Sequence, residues 1–205
     1  MEVGTGLKDV LITDQLERRC FRAPNLTAEN QAMHDLAQHL SDPAPKSLKR
    51  LLQTGMQLCE AGTAGISLLE TNPEQGQIFR WIALAGKLEM HVGGWTPRDH
   101  SPCGVTLDQC EPQLFSWPER YFEYFAGVQP PIVEGLVVPF FDGEVPWGTI
   151  WIVSHNEKTS FDIEDVRLLR SLSGFTSAIL RLMGYTSAPE GSPWSDHHQL
   201  QLSLS

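Results

Sequence analysis

Ser101-Pro102-Cys103-Gly104 is the segment whose residue types and order point most directly to chemistry. A serine at an N-cap position with proline behind it reads as a helix start, where backbone amides point outward without intrahelical partners. Such amides could cradle an anion or a carbonyl oxygen, and a thiol among them would have a depressed pKa and enhanced reactivity. Cys103 is therefore the candidate for redox sensing or ligand attachment. The plainer reading of the same four residues, a capped turn holding a buried and inert cysteine, is preferred because helix starts of this kind are common.

His100 stands three residues before Cys103 with Asp99 beside it, a spacing that a metal could use. A metal needs three or four ligands and no second cluster follows, so no metal site is expected. A nucleophilic pair of Cys103 and His100 is disfavoured because catalytic partners usually come from distant segments, and no catalytic residue is assigned. Cys110, seven residues beyond Cys103, raises a redox switch between the two thiols as a testable idea.

Residues 86–131 concentrate aromatic side chains in an irregular stretch, which is expected of a pocket wall or an interface because a surface loop would not keep so much apolar area in water. Trp95, His100, Ser101, Cys103, Gly104, Trp117 and Tyr121 are the ligand-binding candidates from this stretch. Glu134, at the start of the next strand, could meet a cationic or hydroxylated ligand or could be a strand-end surface charge. Trp81 and Trp151 are further pocket candidates, although most large aromatics are plain core. None of these residues names a cofactor.

The elements that must position these residues are clearest over residues 134–184. Glu134-Gly135-Leu136-Val137-Val138-Pro139-Phe140-Phe141 is β-branched and aromatic, Asp142-Gly143 is a type I′ turn signal, and residues 145–153 run back as the partner strand. Pro146 and Gly148 predict a bulge close to that turn. Asp162 as N-cap, Asp165 three residues later, and the pair Phe161 and Val166 mark a helix start, and Gly184 marks its end. Residues 64–70 and 78–85 read as a second hairpin, and helices are expected from Thr27 to before Pro43 and over residues 47–60. Residues 7–21 are read as one further helix. The nearly unbroken apolar runs at 136–138 and 149–153 require cover on both faces of the sheet. Helices can supply one face, and only residues 86–131 remain for the other.

The chain has 205 residues, 41% of them hydrophobic, which is enough for one good core, and a net charge of −10 argues against nucleic acid and anionic membrane surfaces. No stretch approaches a membrane span, and Met1-Glu2-Val3-Gly4 lacks the basic start of a signal peptide, so a cytoplasmic protein is expected. Four irregularly spaced cysteines are expected to be reduced thiols. Residues 185–205 have no periodicity and are expected to be disordered, with His197-His198 solvated.

Residues 58–69, Ser101-Pro102-Cys103-Gly104, residues 131–139, Gly148-Thr149-Ile150-Trp151 and residues 161–165, in that order, resemble a GAF domain of the kind found in bacterial sensor histidine kinases. The likeness spans about residues 25–184, with an N-terminal extension over 1–24. It implies an α+β, GAF/PAS-like fold: a central antiparallel sheet of about six strands, helices on one face and an irregular lid on the other. It further implies a cytosolic sensory module that dimerises through terminal helices, and the expected role is a non-enzymatic one that binds a small molecule or merely dimerises and signals through those helices to a histidine kinase or other partner. Free methionine-(R)-sulfoxide reductases are similar domains, but the nucleophilic cysteine of their pattern is missing from residues 127–133. Bilin photoreceptors place histidine after the attachment cysteine, where this chain has Gly104.

Overall fold

A computed structural model describes residues 6–40 and 42–185. Six strands form one antiparallel sheet: β1 (Thr63–Asn72), β2 (Gly76–Gly86), β3 (Trp95–Pro97), β4 (Gln113–Ser116), β5 (Glu134–Asp142) and β6 (Val145–Ser154). Their order across the sheet is β3-β2-β1-β6-β5-β4. The two expected hairpins supply the four long central strands. The short edge strands β3 and β4, with the helix α3 (Pro102–Gln109), lie inside the stretch expected to be irregular. Three and four residues are too few for alternation to announce a strand in a sequence.

Strand alternation sorts the apolar runs to two faces. Leu136, Val138 and Phe140 of β5, with Ile150 and Ile152 of β6 and Ile66 of β1, belong to the main core. Helices α2 (Ala44–Leu58) and α4 (Ile163–Leu182) pack on this face, and α1 (Leu26–Gln38) packs on α2. The opposite face is covered by α3, short 3-10 turns and loops, as the need for two-sided cover requires. A smaller apolar cluster of Val10, Phe79, Cys103, Leu107, Phe115, Phe122 and Val137 fills the space there.

Two bulges adjust the sheet. The β5/β6 register shifts between Phe140 and Phe141, leaving Trp147 as the extra residue, where the proline and glycine had marked one. The β1/β2 register shifts between Ile66 and Ser67, leaving Ile82 as the extra residue. That second bulge flips the alternation of β2, so Trp81 and Leu84 face the same side although three residues apart.

Helix ends differ in detail from expectation. Asp162 accepts from Glu164 N and Asp165 N, and Asp165 accepts from Asp162 N in return, completing the capping box of α4. Asn25, rather than Thr27, caps α1 by accepting from Ala28 N at 3.1 Å. Pro45 falls in the first turn of α2 instead of preceding the helix, a place where proline costs nothing because those N–H groups have no intrahelical acceptor.

Residues 7–21 are not one helix. They form two 3-10 turns, Leu7–Asp9 and Thr13–Gln15, and run beside β4 with Ile12 N donating to Leu114 O and Ser116 N to Val10 O. The edge of a four-residue strand offers unpaired backbone groups, and the segment satisfies them better than a free helix would. Of the tail expected to be disordered, only Tyr185 lies within the described residues. Among the described residues no helix is long and apolar enough to cross a membrane.

Candidate functional site

A cavity of about 260 Å³ lies between the sheet and its lid. Its floor is the face opposite the helices: Trp81 and Leu84 of β2, Gly135 and Val137 of β5, and Trp151 and Val153 of β6. Thr96 of the edge strand β3 borders the floor, and the lid side is made by Pro102 and Cys103 of α3 and by Tyr124 and Phe125 of the 3-10 turn Glu123–Phe125. His91 and Tyr124 both line the cavity and reach solvent, so they mark its mouth.

The Ser101 reading holds as local structure. Ser101 Oγ accepts from Gly104 N at 3.0 Å, Pro102 opens α3, and Gly104 allows the helix to approach the preceding chain. A Cβ on Gly104 would stand 2.0 Å from Arg98 O. The thiol behaves otherwise than its place at a helix start predicts. Cys103 is 6% exposed, and burial pushes its pKa up, while the neighbouring Thr149 and Ser67 hydroxyls pull the other way without prevailing. Ser67 is itself engaged, its Oγ accepting from Trp151 Nε1 at 2.8 Å. The thiol is buried, as the plainer reading expects, and forms part of the cavity wall.

Of the eight ligand-binding candidates, Cys103 alone is in the lining. Ser101 and Gly104 are buried in the start of α3 and act through its position. His100 lies exposed on the outside of the lid, its ring centroid 5.1 Å from that of Tyr121 and 5.2 Å from that of Phe122. Trp117 has a left-handed backbone, φ 47°, and donates its N–H to Val133 O at 2.9 Å, so it bends the lid instead of facing the cavity. Trp95 is 43% exposed on the edge strand, while its neighbour Thr96 points inward.

Glu134 has the same parity as Leu136 and therefore faces the helices, away from the cavity. It receives Arg19 in a two-pronged pair, Nη1 to Oε1 at 2.9 Å and Nη2 to Oε2 at 2.7 Å, and Phe161 N donates to Oε1 at 2.6 Å. Its carboxylate is a structural clamp joining the N-terminal segment, β5 and the start of α4.

The comparisons follow from this geometry. A GAF domain family model matches residues 45–181. The chain belongs to the GAF domain family. No curated protein matches it. Among solved structures, the fold is similar to the GAF domain of an Acinetobacter phosphoenolpyruvate-protein phosphotransferase, with 15% identity, TM-score 0.64, and 79% of this chain and 96% of that one covered. It is similar to the free methionine-R-sulfoxide reductase of Neisseria meningitidis solved with its substrate, with 15% identity, TM-score 0.61, and 79% and 94% covered. It is also similar to the chromophore-binding domain of Stigmatella aurantiaca phytochrome P1, with 14% identity, TM-score 0.56, and 79% and 63% covered. At these identities the likeness shows the fold: an α+β GAF domain with a six-stranded antiparallel sheet.

Two polar clusters support the walls of this GAF domain. His155 Nδ1 bonds Pro131 O at 2.8 Å and its Nε2 meets Thr63 Oγ1 at 2.8 Å, while Leu88 N donates to the same hydroxyl at 3.3 Å. Burial lowers the His155 pKa, so the ring stays neutral and holds the chain beside two cavity residues, Leu88 and Ile132. At the far face, Arg22 pairs with Asp165, whose carboxyl burial pushes up to about 6, and Arg22 N donates to Asp162 at 2.6 Å. Cys59 lies buried beside this pair, its thiol pushed up by the same burial.

Sequence reasoning had singled out Trp81 and Trp151 as aromatic candidates, and both line the cavity. It missed Thr96, Gly135, Val137 and Val153. Alternation groups Gly135 with Val137 and Trp151 with Val153, but which face of a two-sided sheet holds the space is not written in that pattern.

Proposed function

We propose that this GAF domain is a non-enzymatic sensory module that binds a small molecule between its sheet and lid and passes the resulting shift through its terminal helices to a partner protein. The observation that carries the reading is the cavity of about 260 Å³, walled by apolar and aromatic side chains with a few convergent polar groups. Its floor includes Gly135 and Val137, and the adjacent Glu134 holds both the N-terminal segment and the backbone at the head of α4. A change at the floor thus has a short covalent and hydrogen-bonded route to the terminal elements. A histidine kinase or another signalling protein in the cytoplasm is the proposed recipient. Self-association through terminal helices fits the exposure of Leu26 and Leu182.

A non-enzymatic role is supported by Cys103, the one cysteine in the lining among the described residues, whose buried thiol is held in its neutral and weakly nucleophilic form. Native mass spectrometry of protein purified from its own host is expected to show a non-covalent added mass. Val137→Trp, which fills the floor, is expected to lose it. The absence of any bound mass, both in that preparation and after incubation with a metabolite extract of the host, overturns the reading.

A further inference from the structure

The chemistry of the lining narrows the ligand class. Among the described residues no Lys, Arg, Asp or Glu lines the cavity. Two arginines of the surrounding segments are otherwise engaged: Arg98, just after β3, pairs with Asp108 at 2.6 Å, and Arg80 of β2 pairs with Glu70 at 3.3 Å. A ligand charge brought into the interior of this space would lose its hydration with no fixed counter-charge beside it, and the penalty disfavours anions and cations alike. His91, the one ionisable imidazole of the lining, stands at the solvent-exposed mouth. The walls present aromatic rings from several directions, with Trp81 and Trp151 on the floor and Phe115, Phe125 and Tyr124 around them. Flat π-systems pack best against such walls in offset or edge-to-face arrangements.

Three buried side-chain polar atoms among the described residues have no partner, and the one on a cavity-lining residue is Thr96 Oγ1. Thr96 is 2% exposed, its Oγ1 makes no hydrogen bond, and the residue lines the cavity from the edge strand. A buried hydroxyl left unmatched is costly, and a ligand oxygen or N–H placed against it removes that cost. Size sets the last limit. An apolar cavity of about 150 Å³ takes benzene, so a cavity of about 260 Å³ takes about ten non-hydrogen atoms by proportion.

We propose that the cavity selects an uncharged aromatic molecule of one or two rings carrying a single hydroxyl, carbonyl or amide group, which is hydrogen-bonded by Thr96 Oγ1. This rests on the sensory reading above and specifies what is sensed. It is not the specificity of a site built for a zwitterion or a di-acid, since those need fixed charges that this lining does not contain.

Benzamide and benzoate have the same shape and differ in charge, and toluene retains the ring without the polar group. Binding of each is followed by the amide shifts of Trp81, Cys103 and Val137 in isotope-labelled protein. Benzamide and toluene are expected to shift these signals with micromolar to sub-millimolar Kd, and benzoate to bind about 100-fold more weakly than benzamide. Thr96→Val is expected to weaken benzamide about five- to tenfold and leave toluene unchanged. Toluene binding then also reports that the variant is folded. Benzoate binding as tightly as benzamide at the same residues overturns the ligand class while leaving the cavity as a sensing site. Equal benzamide affinity in Thr96→Val overturns the assigned hydrogen bond. No shift from any of the three probes at saturation overturns the proposal, and the native mass measurement then decides separately whether the sensory reading fails with it.

Discussion

Gly65 and Trp151 are register partners on β1 and β6, and the Trp151 ring lies across Gly65 so closely that a Cβ there would stand 2.2 Å from it. Leu84, on the other side, would be 2.6 Å away. Both neighbours line the cavity, so the missing side chain at Gly65 is what lets the floor close over β1. Gly65→Ala is expected to displace the indole and cost about 1–3 kcal/mol by overpacking. Thermal unfolding and tryptophan emission check this. Unchanged melting and emission would show that the ring has room to spare. Ser67→Ala, which leaves Trp151 Nε1 without its acceptor, is expected to cost about 1–2 kcal/mol without the steric effect.

The Arg19 and Glu134 pair predicts a large and non-additive loss. Glu134 is 6% exposed, so Arg19→Leu strands its carboxylate with Phe161 N as the remaining donor. Breaking a buried pair from one side costs about 3 kcal/mol or more, whereas removing both partners costs much less. Urea unfolding of Arg19→Leu, Glu134→Leu and the double variant tests it. Additive losses would mean that the pair is not coupled.

Asp165 predicts a specific pH dependence. Burial raises its pKa from 3.8 to about 6, so the folded chain keeps a proton that the unfolded chain releases between those values. Stability from this group is complete below the lower value and falls as pH rises through the window. Asp165→Asn keeps an acceptor for Asp162 N and removes the titration. The stability of the variant relative to the natural protein is therefore expected to rise by about 2–3 kcal/mol between about pH 4 and pH 7. A difference that stays flat with pH contradicts the raised pKa.

Cysteine labelling separates exposure from position. Cys20 and Cys110 are exposed, and Cys59 and Cys103 are buried with raised pKa values. Iodoacetamide at neutral pH is expected to modify the first two quickly and the second two only on unfolding. Peptide mapping reads the result, and rapid labelling of Cys103 would restore a reactive thiol at the cavity. A Cys103 to Cys110 bridge is not expected under mild peroxide. The two residues stand at opposite ends of α3, about 10 Å apart along its axis, and a disulfide requires unwinding it.

The local elements were legible in the sequence because their signals are local. Asp142-Gly143 marked a hairpin, Asp162 and Asp165 a helix start, and Ser101-Pro102 another. The turn is not the expected type I′, because Asp142 ends β5 opposite Val145 and, of the two turn residues, Gly143 alone has a positive φ. The unbroken apolar strands also required cover on both faces, which by itself calls for a lid over the sheet. Those same residues could not say which face holds the cavity. That was decided by a bulge at Ile82 that aims Trp81 and Leu84 together, by the bare backbone at Gly65, and by Arg19 reaching Glu134 across 115 residues of chain. Glu134, His100 and Trp117 were chosen for their chemistry and neighbourhood in sequence, yet a strand sends adjacent side chains to opposite faces and a lid has an outside. Side-chain type is written residue by residue, whereas enclosure is a property of surfaces brought together from distant segments, and only the tertiary structure supplies it.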